Sequence, residues 1–454
     1  MPLAGQLVAA LREAMQVGRL HPNTRLPASR ELAQHLGVSR SVVVDAYQQL
    51  IAEGYLVSRQ GSGTTVGSGV TLRPSGGPVD LSPVRGPRFD MRPTVPDSLS
   101  FPHTDWLRSY REALGAASAQ HFAEVRSPGV LELRAELVRY LGRIRAVATG
   151  ADRVLIFNGF WQALDVLCRV LVARGVRTVV VEDPCFHYHR RIMRRNGLRP
   201  VSLPVDQDGL RVDLLEQTEA DAVMVSPAHQ FPTGAVMSAR RRRALIQWAK
   251  GHDALIIEDD YDAEHRYDRE PIGALQGLAP DNVIYGGTAS KTLSPALRLG
   301  WLAVPSWLAE EVANEKAWAD MGSPVLEQLA LAHFLASGRL GRHLRRLRPI
   351  YRRRRDRLLT ALADQLDEAH PRGAAAGLHV MLELPSGSDE AAVVARCAAA
   401  GLWCEGVAGH REAPGRSALV IGYGNLAEAS IDAAVPLLVD AVKRERRRAP
   451  GRRS

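Results

Sequence analysis

Two short stretches concentrate the side chains able to do chemistry: Glu258-Asp259-Asp260-Tyr261-Asp262, and Gly286-Gly287-Thr288-Ala289-Ser290-Lys291 leading on to Arg298. A primary amine condenses with a carbonyl, which a guanidinium cannot do, and a desolvated lysine has the lowered pKa that favours the reaction. A carboxylate can hold a protonated ring nitrogen, and a guanidinium with hydroxyls can clamp a phosphate. Lys291 is one of only four lysines in the chain, with Lys250, Lys316 and Lys443, so arginine serves almost everywhere a cation is needed and a lysine points to its amine. Taken singly, Asp259 reads as a helix cap, Tyr261 as a buried ring with a bonded hydroxyl, and Lys291 as a surface amine. Their convergence at one edge favours a single site.

Short runs rich in valine and isoleucine must position these groups: Val154 to Phe157, Thr178 to Val181, Ala222 to Val225, Ala254 to Ile257 and Val283 to Tyr285. Helical patterns separate them, a rhythm that predicts a mostly parallel sheet covered by helices, with ligands beyond the carboxyl ends of its strands. Both reactive stretches fall at such ends. After the first run, Asn158-Gly159-Phe160-Trp161-Gln162 opens a helix, and the backbone N–H groups of Gly159, Phe160 and Trp161 are candidates for holding a phosphate. Strand-glycine-helix turns are also ordinary packing devices.

A different pattern occupies residues 1–66. Leu3, Leu7 and Leu11 repeat at helical spacing, Ser29 is read as the cap of a second helix, and Ser39 as the cap of a third with Val43, Ala46, Tyr47 and Leu50 on one face. That leaves Arg40, Ser41 and Val44 off the core stripe. Two strand-like pieces, Tyr55 to Arg59 and Thr64 to Val66, flank Gln60-Gly61-Ser62-Gly63 and predict a wing. In order, Leu26-Pro27, Ser39-Arg40, Glu53-Gly54-Tyr55-Leu56 and Gly61-Ser62-Gly63 resemble the GntR family of winged helix-turn-helix regulators. The resemblance implies that Arg30, Arg40, Ser41 and Gly61 contact double-stranded DNA, with Ser39 and Ser62 on the same surface.

Composition sets the bounds. The 454 residues accommodate two domains, and no apolar run approaches the roughly 20 residues of a membrane span, which together with the absence of a signal-like start predicts a cytoplasmic protein. Residues 67–88 are rich in Gly, Ser and Pro and read as a flexible linker reaching roughly 25 Å. Residues 89–441 form the body and 442–454 a basic disordered tail. The tail supplies seven basic residues against Glu445, so the net charge of +9 says little about DNA. Cys168, Cys185, Cys397 and Cys404 show no metal-ligand spacing, so reduced thiols and no metal are expected.

Ser290-Lys291 with Arg298, together with Glu258 to Asp262 and Ser226-Pro227-Ala228-His229-Gln230-Phe231-Pro232-Thr233-Gly234, resemble the MocR/GabR family of GntR-type regulators, over nearly the whole chain. The resemblance implies an α/β body of aminotransferase fold type I, with a mostly parallel large sheet and a smaller C-terminal α+β subdomain, binding pyridoxal 5'-phosphate (PLP). It places a Schiff base on Lys291, Asp259 on the ring nitrogen, Tyr261 near the phenolic oxygen, Thr288, Ser290 and Arg298 at the phosphate, and Phe186 stacked on the ring. It also implies head-to-tail homodimers.

Three departures matter. Phe231 stands where aminotransferases usually carry an asparagine that bonds the phenolic oxygen, leaving Tyr261, His229 or Gln230 for that bond. Phe160 replaces a common serine or threonine in the phosphate turn. Val420 replaces the arginine that grips a substrate carboxylate, and Arg411 or Arg416 are the available substitutes. The leading reading is a PLP-dependent DNA-binding regulator sensing PLP or an amino compound as small-molecule effector. An active aminotransferase with an accessory DNA-binding head, and a cofactor-free dimerisation platform, are the alternatives. The basic run from Arg339 to Arg357 reads either as a solvated or dimer-contacting helix or as a second DNA surface.

Overall fold

The computed structural model describes residues 2–59, 63–68, 86–123, 128–262, 264–267, 272–366, 370–373 and 376–448, with residues 446–448 described by backbone only. The chain divides into two compact units, Met1–Arg85 and Gly86–Ser454.

In the first unit, helices α1 (Leu3–Gln16), α2 (Ser29–Leu36) and α3 (Arg40–Ala52) precede strands β1 (Leu56–Arg59) and β2 (Gly63–Val66). Val43, Ala46, Tyr47 and Leu50 face inward from α3 against Val8, Met15 and Ala33, and Tyr47 Oη donates to the Pro27 carbonyl at 3.0 Å. Ser29 is the first residue of α2 and not its cap, which is Ala28. Ser39 does take the cap position of α3, but its hydroxyl pairs with that of Ser41 at 2.8 Å and not with the helix backbone. The two strands pair antiparallel, Leu56 opposite Val66, and Arg25 bridges to Thr65. The expected wing tip, with Gly61 and Ser62, lies outside the described residues, as does most of the expected linker.

The second unit runs through β3 (Phe89–Asp90), α4 (His103–Ala116), α5 (Ala119–Ala123), α6 (Leu131–Arg145), β4 (Val154–Phe157), α7 (Phe160–Ala173), β5 (Thr178–Asp183), α8 (His187–Arg195), β6 (Arg199–Asp206), β7 (Gly209–Leu210), β8 (Ala222–Val225), α9 (Ala239–Gly251), β9 (Leu255–Asp260), β10 (Val283–Thr288), β11 (Gly300–Ala303), α10 (Ser306–Asp320), α11 (Val325–Ala336) and α12 (Arg339–Ala363). Its large sheet has the order β4-β11-β10-β9-β8-β5-β6-β7, in which β10, β9, β8, β5 and β6 pair parallel. Strands β4, β5, β8, β9, β10 and β11 bury both faces, whereas β6 near the edge is partly exposed. Leu255 and Ile257 pack toward α7 and α10, while Ile256 between them packs toward α9. Such a strand shows no apolar/polar alternation, which is why these runs read as continuous.

Strand β9 extends past the expected Ile257 to Asp260, and β10 past Tyr285 to Thr288. The acidic residues Glu258 to Asp260 therefore lie inside the sheet, and Glu258 and Asp260 are satisfied there. Glu258 accepts from the backbone N–H groups of Leu275 and Gln276 at 2.9 and 3.1 Å, and Asp260 takes a buried fork from Arg145 at 2.7 and 3.0 Å.

The remainder comprises β12 (His370–Arg372), β13 (His379–Glu383), α13 (Glu390–Ala399), β14 (Leu402–Trp403), β15 (Glu405–Gly406), β16 (Ala418–Gly422) and α14 (Glu428–Arg448). Its antiparallel sheet, ordered β12-β13-β16-β15, packs on the second half of α12 and on α13 and α14. The segment expected to be a disordered tail from residue 442 is helical as far as Arg448: Val435, Leu438 and Val442 continue one buried stripe, and Arg444 and Glu445 pair with Asp440 and Arg396. All four cysteines are buried free thiols. Among the described residues no helix is long and apolar enough to cross a membrane.

The basic run on α12 is largely spent inside this unit. Arg354 pairs with Asp97 at 2.7 Å, Arg353 with Glu428 at 3.0 Å, Arg339 with Glu112 at 2.6 Å, and Arg357 with Asp432.

Candidate functional site

Strand register gathers the reactive residues. Thr288, Gly300 and Phe157 form one row across β10, β11 and β4, so the residues just beyond them converge: Ala289-Ser290, Arg298-Leu299 and Asn158-Gly159. Gly159 has φ +89°, a region glycine enters at low cost. An added Cβ there would stand 2.7 Å from Arg298 Nη2, and that nitrogen donates to the Asn158 carbonyl at 2.7 Å. The Thr288 and Ser290 hydroxyls lie 2.9 Å apart. Guanidinium, two hydroxyls and the N-terminus of α7 thus share one corner, the donor set a phosphate needs. Phe160 and Trp161 start α7. The Phe160 ring packs over Gly286, where a Cβ would meet it at 2.2 Å, while Trp161 stays exposed and lies tilted against Tyr188.

One strand over, Asp259 is buried with His189 Nε2 3.5 Å from its Oδ2. Burial first, and then Asp260 and Asp262, push the Asp259 carboxyl well above its usual range, with Lys291 acting against the shift. Burial and the neighbouring Arg190 lower His189 to about 3, so its imidazole is neutral. Desolvation also lowers the Lys291 amine, opposed by Asp262, Asp259 and Glu405. Its Nζ donates to Thr94 Oγ1 at 2.9 Å.

Beside them, Tyr261 Oη lies 3.2 Å from His229 Nδ1, which pairs with Asp262 at 2.9 Å. His379 adjoins this group, fully buried, and the three residues His229, Asp262 and His379 bring ligand-capable atoms within 4.8 Å of one another. Gln230 is already engaged, its amide donating to the Pro184 carbonyl after β5 and to the Phe231 carbonyl, and its oxygen accepting from Thr233. Of the three candidates to replace the missing asparagine, Tyr261 is thus the hydroxyl held by a neighbouring dyad. Phe186 lies 5.5 Å from the Phe231 ring and nearly parallel to that of His410.

The family models agree with this division. The description "Bacterial regulatory proteins, gntR family" matches residues 3–66, and "Aminotransferase class I and II" matches residues 97–408. A pyridoxine biosynthesis transcriptional regulator of Corynebacterium glutamicum is 34% identical, covering 96% of this chain and 95% of its own. The probable rhizopine catabolism regulatory protein MocR of Rhizobium meliloti is 35% identical over 78% of this chain and 76% of its own. The chain belongs to the MocR-type GntR transcriptional regulators. Among solved structures, a multiple substrate aminotransferase from Thermococcus profundus superposes with TM-score 0.73 at 26% identity, covering 79% of this chain and 92% of its own.

In this MocR-type chain the DNA-binding head exposes Arg30 at the start of α2 and Ser39, Arg40 and Ser41 at the start of α3, with Val44 half-buried. In the second unit Val420 is fully buried in an apolar cluster with Phe231, Met381 and Val407. Arg411 lies 3.8 Å from Glu390 and donates to the Arg416 carbonyl, and Arg416 lies 3.7 Å from Glu383. Thr94, His189 and His379 escaped sequence reasoning, and Asp262 stood out only as part of its stretch, without a role. His189 lies three residues past Phe186, a helical spacing that carried a signal, whereas Thr94 is 197 residues from Lys291 and carried none.

Proposed function

We propose that this regulator holds PLP on Lys291 and senses that compound, or an amine that reacts with it, through its aminotransferase-like unit. The observation that carries the reading is the buried Asp259 carboxyl, raised by desolvation beside a neutral His189, next to a desolvated amine. When bound, PLP supplies an aldehyde for the amine and a pyridinium whose N–H gives Asp259 the counter-charge it lacks. Arg298, Thr288, Ser290 and the backbone of Gly159, Phe160 and Trp161 would hold the phosphate. Phe186 would cover a ring face. Tyr261 would donate to the phenolic oxygen, oriented by His229 and Asp262. Lowering the Lys291 pKa enlarges the neutral fraction, the form that attacks a carbonyl.

The apolar surroundings of Val420 and the ion pairs of Arg411 and Arg416 leave, among the described residues, no arginine dedicated to a carboxylate beside Val420. PLP itself needs no such anchor, and the C. glutamicum relative is named for pyridoxine biosynthesis. Both favour PLP as the effector of a cytoplasmic, head-to-tail homodimer whose heads grip paired half-sites.

Titrating the full chain with PLP should raise an absorbance band near the visible edge, trapped by borohydride on the Lys291 peptide and absent in Lys291→Ala. Gel shifts on its own upstream region should respond to PLP. Steady turnover of an amino donor and a keto acid, lost in Lys291→Ala, would instead support an active aminotransferase.

A further inference from the structure

We infer that Thr94 is the acceptor that holds the Lys291 amine whenever that nitrogen is not bonded to the cofactor, so that its hydroxyl competes with the aldehyde for the amine. The inference rests on the PLP reading above and adds a positioning residue to it.

Two observations single out Thr94. Its Oγ1 accepts from Lys291 Nζ at 2.9 Å, and its backbone has φ +59°. A β-branched residue in the left-handed region is uncommon, and glycine would occupy it at lower cost. Such strain persists where the surroundings over-determine it. Here they do. Phe89 N–H donates to the Gly401 carbonyl at 2.9 Å, Met91 N–H to that of Trp403 at 2.8 Å, and Gly422 N–H to that of Met91 at 2.8 Å. A Cβ on Gly422 would stand 2.0 Å from the Arg92 carbonyl oxygen, and one on Gly424 2.3 Å from that of Val95. The segment carrying Thr94 is therefore seated on the small sheet. Lys291 follows β10 of the large sheet, and its carbonyl is fixed by His265 Nε2 at 2.9 Å. The Lys291–Thr94 bond thus ties the large sheet to the small four-stranded one through one amine.

Imine formation removes that amine. Its nitrogen adds to the aldehyde carbon, its two hydrogens leave with the carbonyl oxygen as water, and a C=N bond forms without oxidation or reduction. The donor that Thr94 accepts from is lost, and the bond between the sheets goes with it. Any amine that displaces the lysine passes its two N–H hydrogens to Nζ, and Thr94 regains its donor.

Opposite shifts follow for Thr94→Val, which keeps the shape and loses the hydroxyl. In the PLP-free full chain, the pH midpoint of Lys291 acylation by acetic anhydride, read by peptide mass, falls by about half to one unit, because a hydrogen bond to the ammonium is gone. PLP uptake, read by absorbance, tightens about five-fold, while displacement of the lysine by methylamine weakens by a similar factor. Thr94→Ser restores all three values. Thr94→Gly, which also relieves the backbone, reproduces the acylation shift in a chain that folds without the strain. A wild-type chain that takes up no PLP overturns the cofactor reading and with it the competition. A chain that takes up PLP but shows the same acylation midpoint, or the same PLP affinity, in Thr94→Val overturns the role of Thr94 alone.

Discussion

Glu182 keeps its carboxyl inside the large sheet, with Oε2 accepting from Ser226 N–H at 3.1 Å and from Gln230 Nε2 at 3.3 Å, while Oε1 has no partner. Burial raises its pKa to about 8 despite those two donors. The folded chain therefore holds this proton up to about pH 8, whereas the unfolded chain releases it near pH 4.5. Its contribution to stability is complete below the unfolded value and is lost as pH rises through the window from about 4.5 to 8. Glu182→Gln should accordingly gain up to about 4 kcal/mol at pH 8 and flatten the rise in stability on acidification, which urea unfolding of the second unit at pH 5, 7 and 8 would measure. The opposite role belongs to Asp259, whose uncompensated carboxyl is useful only ionised against a cation. Asp259→Asn should weaken PLP binding by about 10- to 100-fold in an absorbance titration, the loss of one charge-assisted hydrogen bond. Unchanged affinity would remove Asp259 from the ring nitrogen.

Among the elements, β9 shows how a strand can end in three acids and remain in the sheet. Arg145, at the last turn of α6, reaches Asp260 with both partners almost wholly buried, and Tyr285 Oη donates to the same carboxylate at 2.7 Å. Removing one partner of a buried pair leaves an uncompensated charge, so Arg145→Leu should cost about 3–5 kcal/mol in urea unfolding of the second unit. If instead the cost is under about 1 kcal/mol, solvent must reach Asp260. The same arrangement explains what was legible in the sequence. Val283 to Tyr285 and the other apolar runs marked the sheet, and Lys291 stood out because amine chemistry cannot be delegated to arginine. The limits of β9 were not legible, because the residues that satisfy Glu258 and Asp260 are Leu275, Gln276 and Arg145, the last 115 positions away. Nor was Thr94, whose meaning depends on φ and on a contact between two sheets. The helical end of α14 was hidden for a related reason: its basic residues resemble a solvated tail until Arg396 is placed beside Glu445.

For the molecule as a whole, the question is where its positive charge meets DNA. The run Arg352 to Arg355 is four consecutive arginines, as is Arg240 to Arg243, yet its members face carboxylates of their own unit: Arg352 and Arg355 lie 3.8 and 3.4 Å from Asp356, Arg353 pairs with Glu428, and Arg354 with Asp97. Charges so paired have few counterions to displace from a duplex. Arg40, exposed at the start of α3, sits where a helix N-terminus can approach phosphates and base edges. For the full chain on its upstream region, Arg40→Ala should weaken binding and reduce the slope of log affinity against log salt by about one per bound head. The double substitution Arg353→Gln with Arg355→Gln should change neither quantity. If it lowers the slope as far as Arg40→Ala does, those arginines leave their carboxylates when DNA is present. The body would then be a second DNA surface, and its ion pairs would regulate binding as well as packing.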